Sequence, residues 1–285
     1  MSDPAAVARM AARRWGLPEP EHLRTGVGSL WAAGDEVVLR VAALPFGAVA
    51  ETTWMARMSS IGVRVPKWVR DIDVVEGTAV VALERVVAEG QVDWAEVGAM
   101  VRRVHSIDAE DVPGLPWCGD FAHWQIDSLL AEVRPHVDAA AVSGFDACLA
   151  RWPGWREQMR SSLVVCHGDV HPGNVMPSAQ GPVLLDWDMR CRAPAGWDHA
   201  ALLRWGDRWS DRWGGGALAY DAFAHGYGRS LRGQWITEAM AELRLLVATL
   251  MRVRAGLTDQ AAAGEAERRL RWWRGDPDAP RWEPQ

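Results

Sequence analysis

The residues with the clearest chemical potential lie in VVCHGDVHPGNVM, residues 164–176, just past a short apolar run. Asn174 follows Asp169 by five positions, across a Pro-Gly step that can fold the chain back on itself. Twelve residues after Asn174 comes LLDWDM, with Asp186 and Asp188. Mg2+ prefers oxygen ligands and takes few of them from protein when phosphate supplies others. The amide oxygen of Asn174 and the carboxylate of Asp186 are therefore candidate Mg2+ ligands.

Asp169 is not needed as a ligand of that metal, so its carboxylate is available for a different role in the reaction. A carboxylate beside a metal-nucleotide site can accept a proton from the hydroxyl that attacks phosphorus. Either segment alone is explained as well by a loop turn or an exposed acidic turn. The ordered pair at this spacing favours phosphoryl transfer from ATP, with Asp169 as the catalytic base and Mg2+ held by Asn174 and Asp186.

Composition narrows the class of protein. The 285 residues are 49% hydrophobic, enough for one large domain or two lobes, and no apolar run is long enough to span a membrane. The net charge of -6 argues against a nucleic-acid partner and favours a cationic ligand. Four cysteines without CxxC spacing suggest reduced thiols in the cytoplasm. The N-terminus lacks the apolar core of a signal peptide and predicts a helix that Ser2 or Asp3 caps, Pro4 starts and Gly16 ends.

Hydrophobic patterning predicts an α+β protein with two lobes. Strands joined at Gly34-Asp35 and one helix ending at Gly62 occupy the first ninety residues. Beyond them the pattern is mostly helical, starting at an Asp93 cap, and only short strands around the 164–188 segment interrupt it. We expect a small β-rich nucleotide-binding lobe over residues 1–86 and a large α-helical catalytic and acceptor-binding lobe over residues 87–285.

The segment CHGDVHPGNVM…VLLDWDM resembles the aminoglycoside phosphotransferase and choline-kinase-like group, whose fold is similar to protein kinases. The chain agrees with that group in length and layout over about residues 1–274. The resemblance implies a catalytic base at Asp169, metal ligands at Asn174 and Asp186, and structural support of the catalytic loop by His167 and Asp198.

The resemblance also places the nucleotide, with one departure from the family pattern. Kinase-like folds carry a lysine on the third strand, but the single lysine of this chain is Lys67, and Arg40 occupies that strand position. Arginine can bind phosphates bidentately, so binding need not be lost. The implied nucleotide-binding residues are Arg40, its predicted partner Glu51, Gly28 and Ser29 over the phosphates, and Glu84 and Val86 at the adenine hinge. ATP is the expected nucleotide, and GTP is not excluded.

The acceptor is less constrained by sequence. Asp188 could bind a cationic acceptor or position a loop. Four further carboxylates lie in the helical region where this family builds its acceptor pocket: Asp207, Asp211, Glu238 and Glu242. Each alone is explained by a solvated charge, but together with the net charge they favour a cationic antibiotic, either a tuberactinomycin such as capreomycin or viomycin or an aminoglycoside. Tryptophans 187, 197, 205, 209 and 213 fall around the same region, with the last three at helical spacing.

Alternatives remain open. A kinase of choline, homoserine or a sugar fits the same motifs. A zinc hydrolase could use His167, Asp169 and His171 with Asp186, although the asparagine and the following Asp pair would be left unexplained. The replacement of the strand lysine by Arg40 motivates a non-catalytic nucleotide-binding module. We expect a monomer or a homodimer that binds a small molecule and no membrane.

Overall fold

The computed structural model describes residues 3–25, 28–209, 215–216 and 218–283, and the chain divides into two compact units. The first unit comprises Met1–Gln91 and Met176–Asp188, and the second comprises Val92–Val175 and Met189–Gln285. The α+β fold class is confirmed, with an antiparallel N-terminal sheet followed by a helical part. The predicted boundary at residue 86 lies five residues before the observed one, and the return of residues 176–188 to the first unit was not anticipated.

The first unit is an antiparallel sheet with one helix that shares its core. Its elements up to residue 91 are α1 (Pro4–Trp15), β1 (Glu21–Thr25), β2 (Ser29–Ala33), β3 (Val37–Ala42), α2 (Ala48–Ser60), β4 (Asp73–Val75) and β5 (Thr78–Glu84). The strand order is β1-β2-β3-β5-β4. As predicted, the side chain of Asp3 caps α1 by accepting from the amide of Ala5 at 3.0 Å, and Gly16 ends it in the left-handed region. Val7 and Ala11 of α1 belong to one buried cluster with Leu39 of the sheet.

The second unit is mostly helical. Up to residue 166 its elements are α3 (Trp94–His105), α4 (Ile126–Val133), α5 (Ala139–Arg151), α6 (Trp155–Gln158) and β6 (Leu163–Cys166). The short strands β7 (Val175–Met176) and β8 (Val183–Leu184) follow. The remaining elements are β9 (Cys191–Pro194), α7 (Gly196–Leu203), α8 (Trp205–Arg208), α9 (Ala219–Tyr227), α10 (Trp235–Gly256) and α11 (Gln260–Trp273). Strands β6 and β9 pair antiparallel, and the 164–176 segment begins on β6. Helix α10 supplies many of the buried apolar residues, including Leu243, Leu246 and Leu250.

Two glycines set the close approach of α3 and α9. A Cβ atom on Gly98 would lie 2.0 Å from the carbonyl oxygen of Phe223, and one on Gly226 would lie 1.7 Å from that of Ala95. No side chain fits at those distances, because heavy atoms in van der Waals contact stay well beyond them. This packing holds His105, at the end of α3, against Tyr227 of α9.

The four cysteines are buried and unpaired, as the absence of a disulfide spacing predicted. Burial raises the pKa of the Cys118 thiol to about 12, and it raises the pKa of Cys166 and Cys191 as well. These thiols stay protonated at neutral pH. Within the described residues, no helix has the length and apolar character needed to cross a membrane.

His199, on α7, makes the second unit sensitive to acid. Its ring is fully buried among Tyr220, Phe223 and Tyr227. Burial, assisted by the charge of His105, lowers the pKa of His199 from 6.5 to about 3. Below pH 6.5 the unfolded chain therefore binds a proton that the folded chain excludes, and stability falls as the pH decreases towards 3.

Replacement of this ring tests that linkage. One such histidine costs at most about 2 kcal/mol of folding free energy between pH 6.5 and pH 5. We expect His199→Phe to reduce the difference in urea-unfolding free energy between these two pH values by up to that amount, whatever it does to stability at pH 7. An unchanged pH dependence in the variant would contradict the assignment.

Candidate active site

Strand β6 leads directly into the loop 167–174 that carries the predicted catalytic residues. Gly168 has a φ of 96°, and a Cβ atom there would lie 1.9 Å from the carbonyl oxygen of Met189. Only glycine satisfies both the left-handed backbone and this close contact. The glycine of the HGD sequence is thus required by the path of the loop.

Asp198, on α7, anchors this loop from behind. Its carboxylate is fully buried and accepts hydrogen bonds from the amides of His167 and Gly168, both at 2.8 Å. His105 Nε2 lies 3.0 Å from the same carboxylate, and Tyr227 lies 2.9 Å from the other ring nitrogen of His105. Burial raises the pKa of Asp198, but the hydrogen bond and charge of His105 together with the loop amide outweigh it, so the net pKa is lowered. The arrangement agrees with the bracing role predicted for Asp198.

The carboxylate of Asp169 is held on both oxygens. Arg244 donates to Oδ1 at 3.0 Å, and the Nε2 atom of His171 lies 3.2 Å from Oδ2. Because Nδ1 of His171 accepts from the amide of Gly173 at 3.0 Å, Nε2 carries the proton and donates to Asp169. Arg244 also donates to the carbonyl of Gly168, and its guanidinium lies 5.0 Å from the ring centre of Trp197.

These partners control the charge of Asp169. Burial would raise its pKa, but the interactions with His171 and with the guanidinium of Arg244 hold the pKa well below its usual range. The side chain is nevertheless 31% exposed. Asp169 is therefore an accessible carboxylate that stays ionised at any physiological pH.

Asn174 contacts the same aspartate through its amide nitrogen. Nδ2 donates to the backbone carbonyl of Asp169 and to Oδ2, both at 3.0 Å. Both hydrogens are thus used, and the amide oxygen, which can only accept, is left for another partner. Such an oxygen is a suitable ligand for a hard cation such as Mg2+.

A cavity of about 310 Å³ opens at Asp169 within the second unit. Its polar and aromatic lining comprises Asp169, His171, Arg204, Trp205, Trp209, Arg244, Arg252 and Arg269. Among the described residues of this lining, Asp169 is the single carboxylate. The ring of His171 stacks on Trp205, and Trp205 stacks on Trp209, with ring centres 5.3 and 5.0 Å apart. The volume suits a small-molecule acceptor.

The carboxylates predicted to bind the acceptor lie elsewhere. Asp207 and Glu238 both pair with Arg204, at 3.1 and 2.9 Å. Glu242 pairs with Arg151 and also accepts from Trp152 Nε1 at 2.6 Å. None of the three belongs to the described lining of the cavity, although Arg204, the partner of two of them, does. A count of acidic residues does not reveal these pairings. Asp211 and Trp213 lie outside the described residues.

The first unit gathers a second set of predicted residues. Arg40, on β3, pairs with Asp188. Its pairing with Glu51, expected from sequence, stays a prediction. Burial raises the pKa of Asp188, and the neighbouring charges of Asp186 and Glu51 raise it further against the opposing effect of Arg40. Asp186 has a φ of 57°, a costly conformation for a residue with a side chain. Three acidic side chains beside one arginine favour the binding of a cation, and Asp186 remains the candidate Mg2+ ligand.

The remaining predicted nucleotide residues are structurally constrained. A Cβ atom on Gly28 would lie 2.6 Å from Cβ of Ala42, so only glycine fits there. Ser29 is buried at the start of β2 and accepts from Trp31 Nε1 at 2.8 Å. Glu84 ends β5, its amide donates to the carbonyl of Lys67 at 2.8 Å, and Val86 follows two residues later. Contact of these residues with a nucleotide stays a prediction.

The zinc alternative finds little support in the ligands available. In the catalytic loop, Nδ1 of His167 accepts from the amide of Asp169 at 3.2 Å, and both nitrogens of His171 are used within the loop. In the part of the chain that the structure describes, one group of three metal-ligand side chains clusters, namely His105, Cys166 and Asp198. Its thiol stays protonated and its carboxylate holds the loop amides, so the group is a structural network.

Arg244 and His171 are the site residues that sequence reasoning missed as partners of Asp169. A signal for Arg244 was present: it interrupts the apolar run LRLLVATL in the middle of α10. A long buried helix rarely carries an arginine without a partner for it. His171 was considered as a zinc ligand only.

A family model described as the phosphotransferase enzyme family matches residues 29–246, more than half of the chain. The resemblance inferred from the sequence is confirmed by this match. None of the curated proteins compared with the chain matches it.

Solved structures agree in fold. An aminoglycoside 2'-phosphotransferase bound to GDP has a TM-score of 0.70 at 14% identity, covering 96% of this chain and 99% of the other. A spectinomycin phosphotransferase bound to ADP and spectinomycin has a TM-score of 0.66 at 12% identity, covering 90% and 89%. An amicoumacin kinase bound to AMP-PNP, Ca2+ and its substrate has a TM-score of 0.65 at 13% identity, covering 96% and 95%. The predicted kinase-like fold class is confirmed, and identities this low establish the fold alone.

Removal of the charge on Asp198 should impair the loop without touching a substrate. In Asp198→Asn an amide nitrogen replaces one oxygen that accepts a backbone N–H or contacts His105. We expect kcat to fall by at least about tenfold, as misplacement of a reacting group does, with the ATP dissociation constant within about twofold. Asp221→Asn removes an exposed carboxylate paired with Arg232 and serves as the control. An equal loss of kcat in both variants would contradict the positioning role.

Arg40 should affect nucleotide binding more than turnover. If its guanidinium contacts phosphate, Arg40→Ala should raise the KM for ATP by about tenfold, equivalent to about 1.4 kcal/mol. Arg14→Ala removes an exposed arginine of the same unit, paired with Asp73 at 2.9 Å, and should leave this KM unchanged. An unchanged KM in Arg40→Ala would mean that the third strand does not face the phosphates.

Proposed function

Because the chain belongs to the phosphotransferase enzyme family, we propose that it transfers the γ-phosphoryl group of ATP to a hydroxyl of an antibiotic. The observation that carries this proposal is Asp169, an ionised carboxylate that lines a cavity of about 310 Å³. Support for an antibiotic acceptor comes from the spectinomycin, aminoglycoside and amicoumacin kinases that share the fold. A kinase of a small metabolite is the alternative within the same family.

Asp169 orients the acceptor hydroxyl in this reaction. A carboxylate offers about four lone-pair positions. Arg244, His171 and Asn174 each donate to one, which leaves a position for the acceptor. A carboxylate with so low a pKa is a weak base. Its main contribution is therefore to align the attacking oxygen and to accept the proton late, as a loose phosphoryl-transfer transition state allows.

Asn174 and Asp186 would hold Mg2+. The amide oxygen of Asn174 is available because its nitrogen is committed to Asp169. Asp186 lies among other acidic side chains whose repulsion a cation would relieve. When bound, Mg2+ neutralises the phosphate charge that builds up as the γ-phosphoryl group departs.

Nucleotide binding is assigned to the first unit. Arg40, with Asp188 as its partner, would contact the phosphates, supported by Glu51, Gly28 and Ser29. The hinge at Glu84 and Val86 would meet the base. ATP is the proposed donor, and GTP is the second candidate because the aminoglycoside 2'-phosphotransferase of this fold is bound to GDP.

The choice of a cationic acceptor now has weaker support. The tuberactinomycin and aminoglycoside hypothesis used the net charge together with Asp207, Asp211, Glu238 and Glu242, of which Asp211 lies outside the described residues. In the structure the other three carboxylates pair with Arg204 and Arg151. Capreomycin, viomycin and aminoglycosides therefore belong in an acceptor screen as one class among several.

Substitution of the base tests the catalytic assignment. Asp169→Ala should lower kcat by roughly 100-fold to 10,000-fold, the range typical of a positioned acid or base. ATP affinity should stay within about twofold, because Asp169 is not assigned to the nucleotide. Full activity in this variant would remove the assignment. Asp127→Ala, an exposed aspartate of the second unit paired with Arg156, is the matched control.

An acceptor screen tests the proposed function as a whole. ADP release with Mg-ATP would be measured against aminoglycosides, spectinomycin, capreomycin, viomycin, a macrolide, choline and homoserine, with mass spectrometry for the added phosphate. Phosphorylation of an antibiotic supports the proposal. Phosphorylation of choline or homoserine alone supports the metabolite alternative, and ATP binding without any turnover supports a non-catalytic module.

A further inference from the structure

The chain as a whole is acidic, whereas guanidinium groups outnumber carboxylates in the described lining of the cavity at Asp169. Four guanidinium groups line it, those of Arg204, Arg244, Arg252 and Arg269, against the single carboxylate of Asp169 in the described lining. A cationic group in contact with this wall would meet guanidinium groups first, and the one carboxylate of the described lining, Asp169, is already held by Arg244.

The four arginines differ in how far their charge is compensated. Arg269 is buried, pairs with Glu265 at 2.8 Å and lies over Trp209, so its charge is largely neutralised. Arg204 draws Asp207 and Glu238 to itself, and neither of these carboxylates belongs to the lining. The charge of Arg204 is therefore compensated as well, by two carboxylates outside the described lining.

Unpaired hydrogen-bond donors in the lining also favour a ligand that carries acceptor oxygens. Nε of Arg244 and Nε1 of Trp205 are buried donors with no hydrogen-bond partner among the described residues, and both side chains line the cavity. A buried donor left unpaired costs about 1–3 kcal/mol, so a ligand that brings acceptor oxygens gains by satisfying it. Carboxylate, sulfate and phosphate oxygens only accept at neutral pH, whereas an ammonium group only donates.

Aromatic surface adds a second element of recognition. His171, Trp205 and Trp209 form a continuous stack along the lining, with interplanar angles of 7° and 17°. Such a stack offers apolar area to a flat ring or to the apolar face of a sugar. The cavity therefore combines guanidinium donors with an aromatic surface beside the carboxylate that orients the hydroxyl.

We propose that the acceptor is a hydroxylated small molecule that carries an oxyanion, such as a carboxylate, and a ring that packs on Trp205 and Trp209. Arg252, half-buried in the wall, and Arg244 contact the oxyanion. The identity of the reaction rests on the proposed function, but selective binding of an anion does not require phosphoryl transfer.

Three aryl glycosides that share a ring and differ in charge test the proposal. They are 4-nitrophenyl β-D-glucuronide, the corresponding glucoside, and the corresponding 2-amino-2-deoxyglucoside. Dissociation constants would be measured by isothermal titration calorimetry on the full chain without nucleotide. We expect the glucuronide to bind at least about tenfold more tightly than the aminoglucoside, with the glucoside between them. Equal affinities, no binding of any of the three, or tightest binding of the aminoglucoside would overturn the proposal.

Matched variants locate the binding to this cavity. Arg252→Gln should weaken glucuronide binding by about tenfold and change glucoside binding by less than about twofold. Arg156→Gln removes one positive charge from the same unit outside the cavity lining and should change neither affinity. Arg204→Gln releases Asp207 and Glu238 and should reduce the preference for the glucuronide over the aminoglucoside. Equal weakening in Arg252→Gln and Arg156→Gln would overturn the site.

The outcomes separate this inference from the proposed function. Strong phosphorylation of a polycationic antibiotic would support the kinase assignment and overturn the anionic acceptor. Selective glucuronide binding lost in Arg252→Gln, without ADP release on any acceptor, would support the anion site while the catalytic assignment fails.

Discussion

The buried carboxylate of Asp198 is the interaction on which the site depends. By accepting from two consecutive amides, those of His167 and Gly168, it fixes the orientation of the loop backbone. The carbonyl of Gly168 is thereby directed to Trp197 Nε1 at 2.9 Å and to Arg244. Arg244 then holds Asp169 at 3.0 Å. A single buried charge thus determines where the carboxylate of Asp169 lies.

The buried charge of Asp198 is stable because the amides of His167 and Gly168 and the ring of His105 all contact the carboxylate. An ionised carboxylate taken out of water without partners is strongly unfavourable, while one with two backbone donors and a nearby imidazole is stable. The same principle operates at Asp169, which keeps its ionised form because Arg244 and His171 outweigh the effect of burial. The abundance of arginine has a further consequence: Arg204 and Arg151 bind Asp207, Glu238 and Glu242 of the helical unit, and none of these carboxylates belongs to the described lining of the cavity at Asp169.

Local signals made much of the fold predictable from sequence. The Asp3 and Asp93 caps, the glycine ends of the first helices and the turn at Gly34 act within a few residues, so they can be identified without tertiary context. Asp169 and Asn174 were predicted as site residues from their spacing and Asp198 from the family resemblance, and their roles stay predictions. The partner of Arg40, the return of residues 176–188 and the pairing of Glu242 with Arg151 depend on contacts between distant segments, which one sequence does not contain. Net charge describes the whole surface and not one cavity, so it does not identify the acceptor.

Phosphorus NMR of the reaction mixture tests the central claim most directly. Mg-ATP and the best acceptor would be incubated with the wild-type chain and with Asp169→Asn, which keeps the size of the side chain and removes its charge. The account predicts a new phosphate-ester resonance, split by the proton of the acceptor carbon, with the wild-type chain and its near absence with the variant. The same ester formed at equal rates by both chains, or inorganic phosphate as the product of both, would contradict the role of Asp169 in phosphoryl transfer to a hydroxyl.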